Sequence, residues 1–209
     1  MFLYMYETKN FERLLGLAGF SETLLKNHFT LYGGYVANTN KLADALAAML
    51  KDGKTGAPEY AELKRRFGWE FCGMRLHELY FGNLKNGGTL SVPITALSVD
   101  GDALDESSEL AKKIAANFGS VADWEKDFRA AGAMRGIGWV ILYYDKDADR
   151  LFNVWINEHD AGHLAGCAPL LVMDVFEHAF ITQYGLKRAD YIEAFMKAVD
   201  WEAVAGRLQ

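Results

Sequence analysis

The segment DVFEHAF at residues 174–180 follows the apolar run APLLVM at residues 168–173. The run has the length and character of a short buried strand, and EHAFITQYG after it favours the start of a helix. Asp174 and His178 stand four positions apart at this junction, with Glu177 between them. Because an unpaired charge is costly to bury, ionisable groups at the end of a buried segment indicate a site that supplies them with partners.

Asp174 and His178 suit metal binding, since carboxylate oxygens and imidazole nitrogens both bind metals of intermediate hardness. The pair alone is common by chance and identifies no site. His28 and His77 extend the set, because each lies on the apolar side of a predicted helix. Each could instead be a core histidine bonded to a neighbour. Together, three imidazoles and one carboxylate form a complete ligand set for iron or manganese, with one position left for solvent.

The N-terminal part has the pattern of a helical hairpin. Residues 21–50 and 59–84 carry apolar side chains at three- and four-residue steps, and the loop KDGKTGAP separates them. Ser21 is a suitable N-cap for the first helix. Gly33 and Gly34 predict a bend or a close contact within it. Two long helices with a short connection predict an antiparallel pair.

The C-terminal part mixes helices and strands after a polar linker at residues 89–103. The expected strands are residues 138–145, 151–156 and 168–173, and the expected helices lie within residues 104–134, where FGS splits two short ones, and 188–208. We therefore expect an α+β fold: an N-terminal antiparallel helical hairpin plus a C-terminal α/β domain with a small three-stranded antiparallel sheet. The expected domains are residues 1–88 and 89–209.

Composition argues against several classes of function. The net charge of −6 and the sequence pI of about 5.4 argue against nucleic acid as a partner. No segment approaches the roughly 20 apolar residues of a membrane span, and the chain start lacks a signal-peptide pattern. Cys72 and Cys167 form no CxxC motif, so reduced thiols and a cytoplasmic location are expected.

Several segments resemble the iron/manganese superoxide dismutase family, in the family's order and over nearly the whole chain. DVFEHAF, followed by YGLKRADYIEAF and DWEAVAGRL, is similar to the family's C-terminal signature, DxWEHAY with a following Arg-x-x-Tyr. IAANFGSVADWEKDF and GWVILYYD resemble the segment after the family's linker and its first strand. HFTLYGGYVANTNKL resembles the segment that carries the first ligand.

The resemblance implies an oxidoreductase that converts superoxide to dioxygen and hydrogen peroxide by one-electron cycling of one iron or manganese ion per subunit. The implied metal ligands are His28, His77, Asp174 and His178. The choice between iron and manganese stays open. The resemblance also implies a homodimer or a homotetramer, and the choice between these two states stays open as well.

The resemblance further implies roles for side chains around the metal. Tyr35 takes the place of the tyrosine at the mouth of the substrate channel, and Arg188 that of an arginine nearby. Because superoxide is an anion and the chain is net negative, Arg188 is also the expected source of local positive charge. Glu177 takes the place of the glutamate that bonds a ligand histidine of the partner subunit across a dimer interface.

One departure from the family concerns the glutamine that contacts the metal-bound solvent, which the family supplies from one of two positions. Gly73 stands at the first position, and His159 stands at the second. We expect His159 to replace the glutamine, because the group bonded to the solvent tunes the redox potential. The alternative is that His159 is a surface loop residue. His163 could compete for the role through a loop shift, but we expect it to be structural or exposed.

A second departure concerns the channel mouth. The family has a histidine before the channel tyrosine and a tyrosine three residues after the last ligand. No histidine other than His28 precedes Tyr35, and Ile181 stands at the second place, so Tyr32 at most partly fills the gap. Phe176 replaces the family's usual tryptophan and keeps an aromatic ring beside the ligands.

Two other classes of protein are compatible with these residues. An oxygenase with the same ligands would need an organic substrate pocket, of which the sequence gives no sign. A non-catalytic protein would have no reason to keep four ligands together with Glu177 and Tyr35. Trp124, Trp139 and Trp155 are expected to be core residues.

Overall fold

The computed structural model of the protein describes residues 5–85 and 104–208. The polar linker expected at residues 89–103, and with it the expected boundary between the two domains, lies outside the described residues. The division into domains of residues 1–88 and 89–209 therefore stays a prediction.

A helical hairpin forms the N-terminal half, with α1 at Glu22–Lys51 and α2 at Pro58–Gly82. These bounds are close to the predicted ones. The Oγ atom of Ser21 accepts a hydrogen bond from the backbone N–H of Leu24 at 3.2 Å, which confirms the predicted N-cap. Pro58 suits the first turn of α2, where its missing N–H would have no helical partner.

Of the bend or close contact predicted at Gly33 and Gly34, the close contact is not found among the described residues. Helix α1 continues through both residues, and a Cβ atom at either would meet no other atom within 4 Å. Glycine weakens a helix, but burial of the neighbouring side chains supplies most of a helix's stability in a folded protein. Tyr32, Tyr35 and Val36 are all buried here and hold the helix across the two glycines.

The C-terminal half contains a three-stranded antiparallel sheet, preceded by the helices α3 at Glu109–Phe118 and α4 at Val121–Ala133. Its strands are β1 at Trp139–Asp145, β2 at Arg150–Ile156 and β3 at Ala168–Asp174. They lie in the order β2-β1-β3, with β1 at the centre. The expected fold class, a helical hairpin with a small antiparallel sheet, is confirmed.

The chain after β3 is less regular than the helix expected from EHAFITQYG. A 3₁₀ turn at Glu177–Ala179 comes first, and α5 covers only Ile181–Tyr184. Phe180 lies between them with a φ of −144°, which is outside the helical range. The remaining elements are a 3₁₀ turn at Glu12–Leu14, α6 at Arg188–Lys197, α7 at Trp201–Ala205 and a 3₁₀ turn at Gly206–Leu208.

Two arginines hold the C-terminal end of α2, where the last carbonyl groups lack helical partners and carry partial negative charge. Arg13 donates to the carbonyl oxygens of Leu84 and Phe81 at 2.7 and 3.0 Å. Arg207 donates to Leu79 O at 3.0 Å and to Leu170 O, in β3, at 2.5 Å. The second arginine therefore ties α2 directly to β3.

The register of the sheet positions Trp139, the first residue of β1. Trp139 pairs with Ile156 on β2 and with Asp174 on β3. Paired residues on neighbouring strands present their side chains on the same face, so the indole of Trp139 lies beside the carboxylate of Asp174. Gly138, directly before it, accepts a backbone hydrogen bond from Val175 at 2.9 Å.

Replacement of Gly138 by alanine tests the close approach of its backbone to the backbone of Ile156 on β2. Gly138 has a φ of +130°, and a Cβ atom there would lie 1.9 Å from the carbonyl oxygen of Ile156. We expect Gly138→Ala to lower the free energy of unfolding by more than about 3 kcal/mol, since backbone strain and a clash add. The measurement is denaturant unfolding of the metal-free chain. Gly33→Ala is the control, with an expected gain of about 0.5–1 kcal/mol; equal effects of the two changes would contradict this account of the close approach.

Candidate metal centre

Four side chains from four elements converge on one point between the hairpin and the sheet. His28 comes from α1, His77 from α2, Asp174 from the last position of β3, and His178 from the 3₁₀ turn after it. Their ligand atoms all lie within 4.8 Å of one another. The Oδ2 atom of Asp174 is 3.2 Å from Nε2 of His28, 3.7 Å from Nε2 of His77 and 3.0 Å from Nε2 of His178.

The ring of His77 tests whether a metal ion fits this cluster. Its Nδ1 lies 2.6 Å from the carbonyl oxygen of Gly73, and a carbonyl only accepts, so Nδ1 carries the proton. The Nε2 lone pair then faces the cluster, where it is fully buried and has no hydrogen-bond partner among residues 5–85 and 104–208. A buried unsatisfied nitrogen is costly in protein interiors. A metal cation among the four side chains satisfies this nitrogen, so the site fits such an ion.

Burial sets the charge state of the cluster. Desolvation lowers the pKa of His28, although Asp174 opposes it, and holds the pKa of His77 well below its usual value. Burial alone would raise the pKa of Asp174, but charge and hydrogen bonds from His178 and His28 outweigh it and hold that pKa well below its usual range. His28 and His77 are therefore neutral donors beside an ionised carboxylate, a set that suits iron or manganese.

Further hydrogen bonds orient Asp174. Its Oδ1 accepts from the backbone N–H of Phe176 at 2.8 Å, which leaves Oδ2 directed at the three imidazoles. Its backbone oxygen accepts from the hydroxyl of Tyr191 at 2.6 Å, and that hydroxyl also lies 3.2 Å from the hydroxyl of Tyr80. Partners of this kind fix the direction in which a metal ligand points.

A chain of three side chains lies against the cluster, and its polarity follows from the donor-only indole. The Nε1–H of Trp139 donates to Nδ1 of His159 at 3.1 Å, so Nδ1 carries no proton. Burial lowers the pKa of His159 to about 4, so the ring is neutral near pH 7 and its proton is on Nε2. Nε2 lies 2.7 Å from the hydroxyl oxygen of Tyr35 and donates to it. The hydroxyl proton of Tyr35 is then free for another acceptor.

This geometry excludes one of the two hypotheses for His159. The side chain is completely buried, with its ring centre 4.8 Å from that of Tyr35 and 6.1 Å from that of His77. The alternative of an exposed loop residue is therefore wrong. His163 does not compete for this place, since its Nδ1 is 2.6 Å from the hydroxyl of Tyr143 and its Nε2 is 2.7 Å from the carbonyl oxygen of His159.

Backbone carbonyl groups hold Arg188 next to the segment that carries Asp174. Its guanidinium donates to the carbonyl oxygens of Met134 and Gly136, both at 2.6 Å, and of Val175 at 3.2 Å. With Glu177 it lines a surface pocket. Arg188 can therefore contribute positive charge near the site, while three of its five N–H donors bind backbone carbonyl oxygens.

The other predicted neighbours occupy distinct places. Phe176 lies with its ring centre 4.8 Å from that of His159 and 5.3 Å from that of His178, so an aromatic ring does line this side of the cluster. Tyr32 accepts from the backbone N–H of Lys9 and donates to Glu78, both at 3.1 Å. Its hydroxyl is thus engaged on the side of the N-terminal segment.

Sequence reasoning missed two polar contacts. Trp139 was expected to be a core residue, and it is fully buried, but its N–H also orients His159. Glu78 is buried directly after a ligand and binds Arg75 at 2.7 Å and Lys9 at 2.9 Å. A tryptophan at the start of a strand gave no sign of the first contact. For Glu78, an arginine three residues earlier on the same helix was an available signal.

Three imidazoles and one buried carboxylate converge where the helical hairpin meets the small antiparallel sheet. This combination of fold and site defines the class of proteins with a mononuclear, non-haem metal centre. The profile described as iron/manganese superoxide dismutases, C-terminal domain, matches residues 106–207. Superoxide dismutase [Fe] of Cupriavidus metallidurans is 37% identical over 196 residues, covering 91% of this chain and 89% of its own. The chain belongs to the iron/manganese superoxide dismutase family, a family of enzymes.

Relatives named for either metal match over most of their length. Superoxide dismutase [Mn] 2 of Haloferax volcanii is 34% identical over 188 residues, which are 90% of this chain and 86% of the relative. Superoxide dismutase [Fe] of Aquifex pyrophilus is 34% identical over 214 residues, which cover 100% of this chain and 93% of the relative. Among the helices within residues 5–85 and 104–208, none has the length and apolar character needed to span a membrane.

Replacement of Gly73 by alanine tests the packing of Tyr35. A Cβ atom at residue 73 would lie 2.7 Å from Cδ1 of the Tyr35 ring, too close for either group to stay in place. We expect the distance from the Tyr35 hydroxyl to Nε2 of His159 to exceed hydrogen-bonding range in a crystal structure of Gly73→Ala. Gly68→Ala, on the same helix, would contact Asp160 at an ordinary 3.9 Å and should leave that hydrogen bond intact. An unmoved Tyr35 in Gly73→Ala would refute the packing argument.

Proposed function

We propose that this protein disproportionates superoxide, with two protons, to dioxygen and hydrogen peroxide, and that His28, His77, Asp174 and His178 hold one iron or manganese ion per subunit. The unpartnered, buried Nε2 of His77 is the observation that carries the proposal, because a cation between the four side chains would bind its lone pair. Membership of the superoxide dismutase family supports the reaction. One-electron cycling between a divalent and a trivalent state is the chemistry that the ion supplies when bound.

Tyr35 and His159 hold and orient a proton donor in this mechanism. His159 is neutral near pH 7 and donates from Nε2 to the hydroxyl oxygen of Tyr35. Burial holds the pKa of Tyr35 well above its usual value, so the tyrosine keeps its proton. That proton is available to an oxygen atom in the site. The pair thus offers a directed donor while excluding bulk water from this side of the cluster.

Arg188 acts in the proposal as a fixed positive charge. The protein carries a net charge of −6, which opposes approach of an anion. Three backbone carbonyls hold the guanidinium in place, close to the exposed side chain of Glu177. A charge held in this way can steer superoxide without forming a hydrogen bond to it, so its effect should weaken as the salt concentration rises.

The metal stays open between iron and manganese, since relatives named for each metal match the chain to a similar extent. The donors are borderline in hardness, so they accept either ion. A group hydrogen-bonded near the metal then decides whether the potential is workable, and we assign this role to His159. A cytoplasmic location agrees with Cys72 and Cys167, which are both free thiols.

Direct measurement of superoxide decay tests the function. We expect fast decay from the chain loaded with one iron or one manganese ion per subunit, and loss of both decay and bound metal in Asp174→Asn. The loss should exceed about 100-fold, since even the partners of a metal ligand contribute 10–100-fold. Asp190→Asn makes the same charge change at an exposed position and should behave as the wild type. Slow decay by both loaded forms would overturn the proposal.

We also propose that Glu177 bonds a ligand histidine of the partner subunit in a homodimer. His178 is the candidate donor, because its side chain is 28% exposed in the single chain, whereas that of His28 is 1% exposed and that of His77 fully buried. Glu177 beside it is exposed as well. A partner that covers this surface would bury both groups. A homotetramer would add a second interface to this dimer.

Replacement of Glu177 tests the interface. We expect Glu177→Ala to raise the dimer dissociation constant at least tenfold, because it removes a hydrogen bond to a charged group across the interface. Sedimentation of a dilution series measures the constant. Glu202→Ala removes another exposed glutamate and is the control. If the Glu177 variant stays dimeric at the dilutions where the wild type does, the bridge is wrong.

A further inference from the structure

The loop between β2 and β3 carries His159 in an unusual backbone conformation. Glu158, directly before it, has a φ of +59°, in the left-handed region that residues other than glycine rarely adopt. Such a conformation persists only when surrounding contacts hold it. One contact is the bridge between the backbones of Asn157 and Ala161, and another is the 3.4 Å hydrogen bond from Nε1 of Trp69 to Glu158. Neither contact reaches His159 itself.

His163 contacts the backbone of His159 directly. The carbonyl oxygen of His159 lies 2.7 Å from Nε2 of His163 and can only accept, so Nε2 of His163 carries a proton. In the neutral ring, Nδ1 then accepts a hydrogen bond from the hydroxyl group of Tyr143, whose oxygen lies 2.6 Å away. Tyr143 belongs to the central strand β1 and is 3% exposed. The imidazole thus links the His159 peptide to the central strand of the sheet.

His159 is attached to β1 at two points, through its backbone and through its ring. Tyr143 holds the backbone of His159 through His163, and Trp139 holds its ring through Nδ1. Trp139 and Tyr143 are an even number of positions apart on the strand, so they present their side chains on the same face. The position of His159 relative to Tyr35 is therefore set by two attachments to one strand, one at the main chain and one at the ring.

We propose that His163 is a positioning residue for the dismutase reaction: through the carbonyl of His159 and the hydroxyl of Tyr143, it holds the His159 ring at hydrogen-bonding distance from Tyr35. The inference rests on the proposed function, and it assigns His163 no contact with substrate or metal. Both ring nitrogens are required, one as a donor and one as an acceptor. The side-chain amide introduced by His163→Gln offers both a donor and an acceptor, whereas the phenyl ring introduced by His163→Phe offers neither.

The indole N–H of Trp139 is the direct reporter of the His159 ring. The chain has five tryptophans, so its indole region in a ¹H–¹⁵N spectrum holds five signals, and Trp139→Phe identifies one of them. The full-length chain is loaded with zinc, which is diamagnetic and accepts imidazole and carboxylate ligands. We expect His163→Phe to shift the Trp139 signal and speed its exchange with solvent. His163→Gln should restore both values towards the wild type.

Tyr143→Phe and Tyr144→Phe form a matched pair on β1. Each removes one hydroxyl, and Tyr144 donates its own to Asp149 at 2.9 Å, away from the loop. Tyr143→Phe should move the Trp139 signal, and Tyr144→Phe should not. With the redox-active metal bound, His163→Phe should also shift the midpoint potential and slow superoxide decay roughly tenfold, since a small misplacement of a catalytic group can cost up to about 100-fold.

The outcomes separate this inference from the proposed function. A Trp139 signal and a midpoint potential that stay at wild-type values in His163→Phe would overturn the positioning role, even in a fully active enzyme. Equal shifts in Tyr143→Phe and Tyr144→Phe would overturn it too, because general loosening of the strand would then explain them. A wild-type chain without dismutase activity would instead refute the proposed function, while the zinc-loaded spectra would still report on the link.

Discussion

The lone pair of one buried nitrogen, Nε2 of His77, is the constraint on which the rest of the structure depends. The Nδ1–H of its ring donates to the carbonyl oxygen of Gly73, and no polar group of the described chain satisfies the other nitrogen. An unsatisfied buried group of this kind costs about 1–3 kcal/mol, and gathering three imidazoles around one carboxylate adds desolvation. The polypeptide must therefore hold an arrangement that is unfavourable without a cation, and the surrounding contacts do so.

Those contacts reach the elements that carry two of the ligands. Arg207 bridges the end of α2 and the strand β3, so the elements that carry His77 and Asp174 cannot move independently. Tyr191 reaches from α6 to the backbone of Asp174. Because these donors act on backbone carbonyls, they fix the main chain rather than only side-chain rotamers. A fixed main chain limits the movement of the ligand atoms that it carries. A metal site needs this, because its ligand atoms must stay in one arrangement.

The hydrogen bonds beside the ligands run in one direction, because their donors and acceptors allow only one assignment of protons. The indole of Trp139 can only donate, so His159 must donate in turn to Tyr35. Burial keeps His159 neutral and Tyr35 protonated, and the missing side chain at Gly73 leaves room for the tyrosine ring. One geometry therefore fixes both the packing of the rings and the direction of their hydrogen bonds. A change to any member alters the two together, which makes the site sensitive to residues that touch no substrate.

The sequence by itself determined the helical hairpin, the three strands and the four residues that converge, because periodicity, caps and ligand chemistry are local properties. It also placed His159 beside the ligands through a family resemblance. Local patterns could not reveal that α1 stays continuous through Gly33 and Gly34, since burial of the neighbouring side chains holds the helix there. Nor could they reveal that the chain after Asp174 leaves the helical conformation at Phe180, whose buried ring packs against Tyr191 of α6. Only the tertiary structure decided the proton positions on His77, His159 and His163 and the engagement of Arg188 by backbone carbonyls. Each depends on a partner distant in sequence or on local backbone geometry, and the register of the sheet and the packing of the hairpin against it create those distances.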